Sequence, residues 1–83
     1  MNMSVFVDFS GVWRMTFGEV VLHYLNTLGV SQSELARRMG TGRQTVNSII
    51  KNKGLRPTLD TAVAIADALG VPLQDMVAMM RGE

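Results

Sequence analysis

A run of hydrogen-bonding side chains lies between residues 43 and 51, and its spacing is that of one face of a helix. Val46, Ile49 and Ile50 recur at helical intervals and predict the buried side. The opposite side holds polar residues, none of them acidic: Arg43, Gln44, Asn47, Ser48 and Lys51. A guanidinium matches the O6 and N7 acceptors of guanine, and a carboxamide matches N6 and N7 of adenine. This face could therefore donate to base edges and to phosphates.

A second, shorter helix must hold this face in place. Leu35, Ala36 and Met39 form its apolar side, and the run from Gly40 to Gly42 breaks the pattern. Ala36 is small enough to let the two helices approach closely, and Gly40 can adopt the positive φ that ends the shorter helix. Two short helices joined by a tight turn predict a helix-turn-helix unit.

Residues 15–80 resemble the Cro/repressor-type helix-turn-helix domain, also called lambda-repressor-like or XRE-like. The resemblance is carried by Gln32, Ala36, Gly40 and Val46, with matching segments at residues 56–61 and 68–73. It implies an all-α fold of five helices over residues 15–83. It also implies that the third helix docks in the major groove of double-stranded DNA, its first turn reaching deepest.

That docking mode divides the polar residues into two sets. Arg43 and Gln44 are the leading candidates for reading bases, Asn47 and Ser48 follow one turn later, and the Thr45 methyl could touch a thymine methyl. The predicted phosphate contacts are Ser31, Gln32, Lys51, Asn52, Lys53, Arg56 and Thr58. Ser31 and Thr58 start helices whose first N–H groups can hold a phosphate oxygen. The resemblance implies that Gln32 braces both a phosphate and the start of the recognition helix; the alternative is a plain surface residue. The alternative for residues 51–53 is C-terminal capping.

The charges are unevenly distributed along the chain. The net charge is only +1. Residues 31–57 carry six basic side chains against Glu34 alone, a balance of +5, and the remainder carries −4. A positive end that coincides with the helix-turn-helix is typical of a surface that meets phosphates; the alternative is that these six bases form an ordinary solvated surface.

The other helices read as scaffold. Capping boxes are predicted at the start of the first helix, from Thr16 and Glu19, and of the second helix, from Ser31 and Glu34. The third helix is predicted to be capped by Gly42 or by Thr41, since Thr41 and Gln44 form a T-x-x-Q pair. The predicted inward faces are Phe17, Val20, Val21, Tyr24, Leu25 and Leu28 in the first helix; Leu59, Val63, Ala66 and Leu69 in the fourth; and Leu73, Met76, Val77 and Met80 in the fifth. Gly29 and Gly70 are predicted to close the first and fourth helices.

Residues 1–14 depart from the helical pattern. Val5, Val7 and Phe9 alternate with polar or outward residues, which predicts a short β-strand. A lone strand leaves its edge unpaired, so it would pair with a second copy; the alternative is a disordered leader. Trp13 is either a lid on the first helix or an anchor for a partner.

Several classes of function are excluded by what the sequence lacks. It has no cysteine and a single histidine, His23, so thiolate metal sites, disulfides and the usual nucleophile–base pairs are missing. We expect no cofactor, no metal site and no enzymatic activity. No apolar run reaches the ~18 residues of a membrane span, and no signal peptide precedes the domain, so we expect a soluble cytoplasmic protein.

These observations predict a small transcriptional repressor that binds its operator as a homodimer, because one recognition helix discriminates weakly. The dimer would form through the fifth helix or the N-terminal segment. The alternative is an antitoxin or adaptor module whose main partner is another protein, held through the same two regions.

Overall fold

A computed structural model describes residues 14–52 and 57–82 of the chain. Within these ranges the backbone forms five helices and no strand. They are α1 (Phe17–Leu28), α2 (Gln32–Met39), α3 (Arg43–Lys51), α4 (Leu59–Leu69) and α5 (Leu73–Arg81). The predicted all-α, five-helix architecture is confirmed. The predicted strand falls on residues 1–13, which lie outside the described residues.

Local side-chain chemistry sets the start of α1 and the end of α2. The Thr16 hydroxyl accepts from the Glu19 amide at 3.1 Å, and the Glu19 carboxylate accepts from the Thr16 amide at 2.8 Å, which confirms the predicted capping box. Gly40 ends α2 with φ of 74°, and the next amide, that of Thr41, donates to the Ala36 carbonyl at 2.9 Å. A β-carbon disfavours this left-handed backbone, so glycine suits the position.

Two of the predicted caps differ from what the structure shows. The Ser31 hydroxyl accepts from the Glu34 amide at 3.0 Å, but the Glu34 carboxylate turns away from Ser31 and binds two arginines, so only half of that capping box forms. Helix α3 begins after Gly42, which makes no side-chain cap bond. Of the two caps predicted for α3, Gly42 is therefore the correct one, and the Thr41–Gln44 pair does not cap the helix.

The core lies between the five helices, and each of them contributes buried side chains to it. Its largest fully buried side chains are Leu35, Ile65, Met76, Val20, Val21 and Val46. Helix α2 packs on α3 and α4, α1 packs on α3 and α5, and the face that α3 buries is the one predicted from Val46 and Ile49. This arrangement fixes α3 from beneath and leaves its other side to solvent.

The predicted inward faces of α1 and α4 were partly wrong. Leu28 is 47% exposed, Leu59 70% and Val63 38%. Helix α4 instead turns Ala62 and Ile65 inward, together with the predicted Ala66 and Leu69. Two overlapping apolar stripes run along this helix, and periodicity alone does not choose between them. The small Ala62 side chain lets α4 lie close to its neighbours.

Two further contacts join helices that are distant in the sequence: one between α1 and α3, and one between the residues before α1 and the end of α5. A β-carbon added at Gly18, near the start of α1, would lie 2.7 Å from the Ile49 carbonyl oxygen and still closer to that of Ile50. Glycine is therefore required for α1 to touch the last turn of α3. At the other end, the amides of Arg14 and Met15 both donate to the Met80 carbonyl, at 2.6 and 3.1 Å.

Among the described helices, none is both long and apolar enough to cross a bilayer by itself. Helices α4 and α5 meet the length and composition criterion only when taken together, and the chain bends by 107° between them.

Candidate nucleic-acid interface

The outward side of α3 is a continuous polar surface, which we call the recognition face. Its exposed members are Arg43, Gln44, Thr45, Ser48 and Lys51. Beneath it, Val46 and Ile49 retain only 1% and 7% of their exposure. The structure therefore brings these five predicted residues to one side of a helix that is anchored from the other.

Asn47 differs from its neighbours on α3 because it is half-buried and hydrogen-bonded. Its Nδ2 donates to the Gln32 Oε1 at 3.1 Å, which joins the middle of α3 to the first turn of α2. Because the Gln32 oxygen is the acceptor, the Gln32 amide nitrogen keeps its N–H donors for a second partner. Sequence reasoning had named both residues but had not paired them.

Those predicted phosphate-binding residues that the structure describes lie at helix ends. The Ser31 hydroxyl caps α2, and the Thr58 hydroxyl caps α4 by accepting from the Thr61 amide at 3.2 Å. Lys51 and Asn52 are exposed at the end of α3, where the Asn52 amide donates to the Ser48 carbonyl at 3.0 Å. The two remaining candidates, Lys53 and Arg56, lie outside the described residues.

The charge cluster contains an internal salt bridge that the sequence analysis missed. Arg37 holds both Glu34 carboxylate oxygens at 2.6 and 2.7 Å, and the Arg38 Nε donates to one of them at 3.0 Å. These bonds hold the pKa of Glu34 below its usual value and raise that of Arg37. The spacing of three and four residues along a helix is a signal that could have predicted this network.

Arg38 also connects two helices. Its Nη1 donates to the Ala68 carbonyl at 3.0 Å, in the last turn of α4. A cation at a helix C-terminus satisfies a carbonyl that has no partner within the helix. Two of the six bases of the positive cluster are thus paired with other groups of the protein. Among the described residues, the positive charge of the recognition face comes from Arg43 and Lys51.

The outer side of α5 forms an open groove. It is lined by Leu73, Gln74, Val77, Ala78 and Arg81, so the predicted inward position of Val77 was wrong. Met76, on the opposite side of the helix, is completely buried in the core. A half-apolar groove on a short terminal helix is a surface that can take another protein element.

The histidine and carboxylate side chains of the described residues do not converge. In residues 14–52 and 57–82, no group of three or more His, Asp or Glu side chains is arranged to hold a metal ion. His23 is exposed on α1, and its Nε2 lies 3.5 Å from the Thr27 hydroxyl.

Comparison with known proteins gives a family and a fold. The family model described as "Helix-turn-helix" matches residues 23–76, from α1 into α5. No curated protein sequence matches the chain significantly. The chain is similar to the crystal structure of the restriction-modification controller protein C.AhdI from Aeromonas hydrophila, with a TM-score of 0.65 and 23% sequence identity, over 72% of this chain and 86% of that one. This likeness supports the fold, and the family match covers more than half of the chain. The chain therefore belongs to the Cro/repressor-type helix-turn-helix family of DNA-binding transcriptional regulators.

Proposed function

We propose that this protein is a sequence-specific double-stranded DNA-binding repressor that inserts α3 into the major groove of its operator. The observation that supports this most is the recognition face, which is exposed, polar and free of acidic residues above two buried anchors. A helix of this kind fits the major groove, where each base pair presents a distinct pattern of donors and acceptors. The proposed role is binding without catalysis, because reading base edges requires hydrogen-bond donors and acceptors but no group that reacts with the DNA.

The roles on the recognition face follow from side-chain chemistry and depth. Arg43 and Gln44 lie in the first turn of α3 and are the primary base readers. Ser48 and Asn47 read one turn later, and Thr45 supplies a methyl contact to thymine. Because Asn47 is bonded to Gln32, its reading is coupled to the position of α2.

Phosphate contacts flank the base readers on both sides. Ser31 and Gln32 present the first turn of α2 to one stretch of backbone, and the capped start of α4 at Thr58 presents a second set of N–H groups. Lys51 and Asn52 at the end of α3 complete the described set. We extend the same role to Lys53 and Arg56 on the basis of their charge and position in the sequence.

A homodimer would place two copies of α3 on successive half-sites, about 34 Å apart along the duplex. The α5 groove is the surface that we propose for this contact, because Leu73, Val77 and Ala78 give it apolar side chains that a second copy could cover. A two-fold axis between positions 77 and 78 would set Val77 of one copy against the partner's Ala78, where the small side chain allows close approach. The N-terminal segment is the alternative contact surface.

The proposal is tested by in-vitro selection of operators from random duplexes, followed by titration of variants. Arg43→Ala should cost about 1–3 kcal/mol of binding free energy and relax preference at one base pair. Lys51→Ala should weaken all sequences alike and reduce the salt slope by about one. Arg37→Ala is the matched control, because Arg37 is exposed but lies off the recognition face, and it should leave the base preferences unchanged. Unchanged specificity in Arg43→Ala would refute the assignment.

A second candidate function is an antitoxin or adaptor whose main partner is another protein. The α5 groove favours it, because its apolar side chains could be covered by a different protein instead of by a second copy of this chain. A pulldown at two salt concentrations separates the two functions. Release of nucleic acid as salt rises supports the repressor, and stoichiometric retention of one protein supports the adaptor.

A further inference from the structure

The Glu34 carboxylate is the only acidic group among the six bases of residues 31–57, and it is fully engaged. Both of its oxygens accept from Arg37, and one also accepts from Arg38. The Glu34 side chain is 31% exposed, so the network lies at the surface, where a DNA backbone could compete for the guanidinium groups.

The two arginines depend on Glu34 to different degrees. Arg38 has a second acceptor, the Ala68 carbonyl, which holds its guanidinium against α4 even without Glu34. The described bonds of the Arg37 side chain all go to Glu34, and the side chain is 75% exposed. Removing the Glu34 charge would therefore release Arg37 and leave Arg38 in place.

Arg37 lies close enough to the proposed DNA backbone for its charge to matter. It is five residues after Gln32 on the same helix, about 7.5 Å along the axis and about 140° around it, and its guanidinium reaches back to Glu34 in the first turn. This separation is within the Debye length of about 8–10 Å at physiological salt, before the reach of the arginine side chain is added. A freed guanidinium at this position would interact with phosphates beside the start of α2.

We propose that Glu34 is a specificity-determining residue that withholds Arg37 from DNA phosphates and so limits binding to non-operator sequences. The inference rests on the proposed function. In the operator complex, base contacts fix the orientation of the domain, and Arg37 stays on Glu34. On other sequences the domain can tilt toward the backbone, and only the Glu34 bond prevents Arg37 from adding a sequence-independent contact.

The experiment compares wild-type protein with Glu34→Gln on a random duplex and on the selected operator over a range of salt concentrations. One additional phosphate contact steepens the slope of log K against log salt by about 0.9 and raises random-duplex affinity roughly five- to tenfold near 0.1 M salt. The operator-to-random affinity ratio should fall in the variant. An unchanged slope on the random duplex would overturn the proposal.

Two double variants distinguish release of Arg37 from a simple change in net charge. Both E34Q/R37Q and E34Q/R38Q restore the original charge, but only the first removes the released guanidinium. We expect E34Q/R37Q to return to the wild-type slope and E34Q/R38Q to stay steep. Equal restoration by both would overturn the proposal, as would an E34Q/R37Q slope as steep as that of E34Q. Should E34Q/R38Q fail to fold, the single variant R37Q takes its place: it lowers the net charge by one, but it should leave the wild-type slope on the random duplex unchanged because Glu34 already withholds Arg37, and a shallower slope would overturn the proposal.

Failure of this inference can be told from failure of the proposed function. If the wild-type protein shows no salt-dependent affinity for any duplex, the DNA-binding function itself is wrong. If wild-type protein selects an operator but Glu34→Gln leaves every slope unchanged, only the role of Glu34 is wrong.

Discussion

Replacing Gly18 by Ala should destabilise the fold by forcing α1 away from the end of α3. An added β-carbon would lie 2.7 Å from the Ile49 carbonyl oxygen, 2.8 Å from the Ile50 carbonyl carbon and closer still to the Ile50 oxygen. These are main-chain atoms of the last turn of α3, so no side-chain rotation can relieve the overlap. Overpacking of this kind costs about 1–3 kcal/mol.

A gain in helix propensity opposes this cost. Alanine is about 1 kcal/mol more favourable than glycine in a helix interior, and this is the upper limit of the gain at Gly18, the second residue of α1. Because the overlap is with rigid backbone, we take the upper part of the overpacking range and expect a net loss of about 1–2 kcal/mol in the free energy of unfolding. For a domain of this size that lowers the melting temperature by roughly 5–15 °C. The shift of α3 should also weaken operator binding.

Thermal and urea unfolding followed by far-UV circular dichroism measures the effect. Gly42→Ala is the matched control, because no atom lies within 4 Å of its added β-carbon and its φ of −88° is open to alanine. As a change at an N-cap, it should alter the free energy of unfolding by only a few tenths of a kcal/mol to about 1 kcal/mol. A Gly18→Ala protein as stable as wild type would show that the contact is not rigid.

Two other predictions follow from single contacts. In a double-mutant cycle on the free energy of unfolding, Gln32→Ala and Asn47→Ala should show a coupling of about 0.5–1.5 kcal/mol, because they remove the same half-buried hydrogen bond; additive effects would mean that the bond does not contribute. Because Arg37 and Arg38 hold the pKa of Glu34 below its unfolded value of about 4.3, the stabilisation is present above that pH and is lost as the pH falls through the lower, folded pKa. Urea midpoints below pH 5 should therefore fall more steeply for wild type than for Glu34→Gln, and parallel pH profiles would contradict this.

Local sequence signals predicted most of the fold because they act within one helix. The Thr16–Glu19 capping box, the left-handed Gly29, Gly40 and Gly70, and the buried Val46 and Ile49 all follow from spacing and backbone chemistry. Leu59 and Val63 were misassigned because α4 carries two apolar stripes, and periodicity does not decide which of them is buried.

Apart from the Glu34 network with Arg37 and Arg38 within α2, the features that sequence reasoning missed are contacts between helices. Gly18 against the end of α3, Arg38 on the Ala68 carbonyl and Asn47 on Gln32 join residues that are 15 or more positions apart. No local pattern specifies which carbonyl or amide such a side chain will meet, since that depends on how the helices cross. The residues of the recognition face could be predicted from the sequence because they all lie on one helix, and the helical period alone shows which of them share a side.

Substitution of 7-deazaguanine for single guanines in the selected operator tests most directly whether α3 reads bases. This change removes the N7 acceptor and leaves the base pair intact. At one guanine in each half-site, wild-type protein should lose affinity while Arg43→Ala shows little further loss, giving a coupling of about 1–3 kcal/mol between the guanidinium and that N7. Equal losses for both proteins at every guanine would contradict base reading by Arg43.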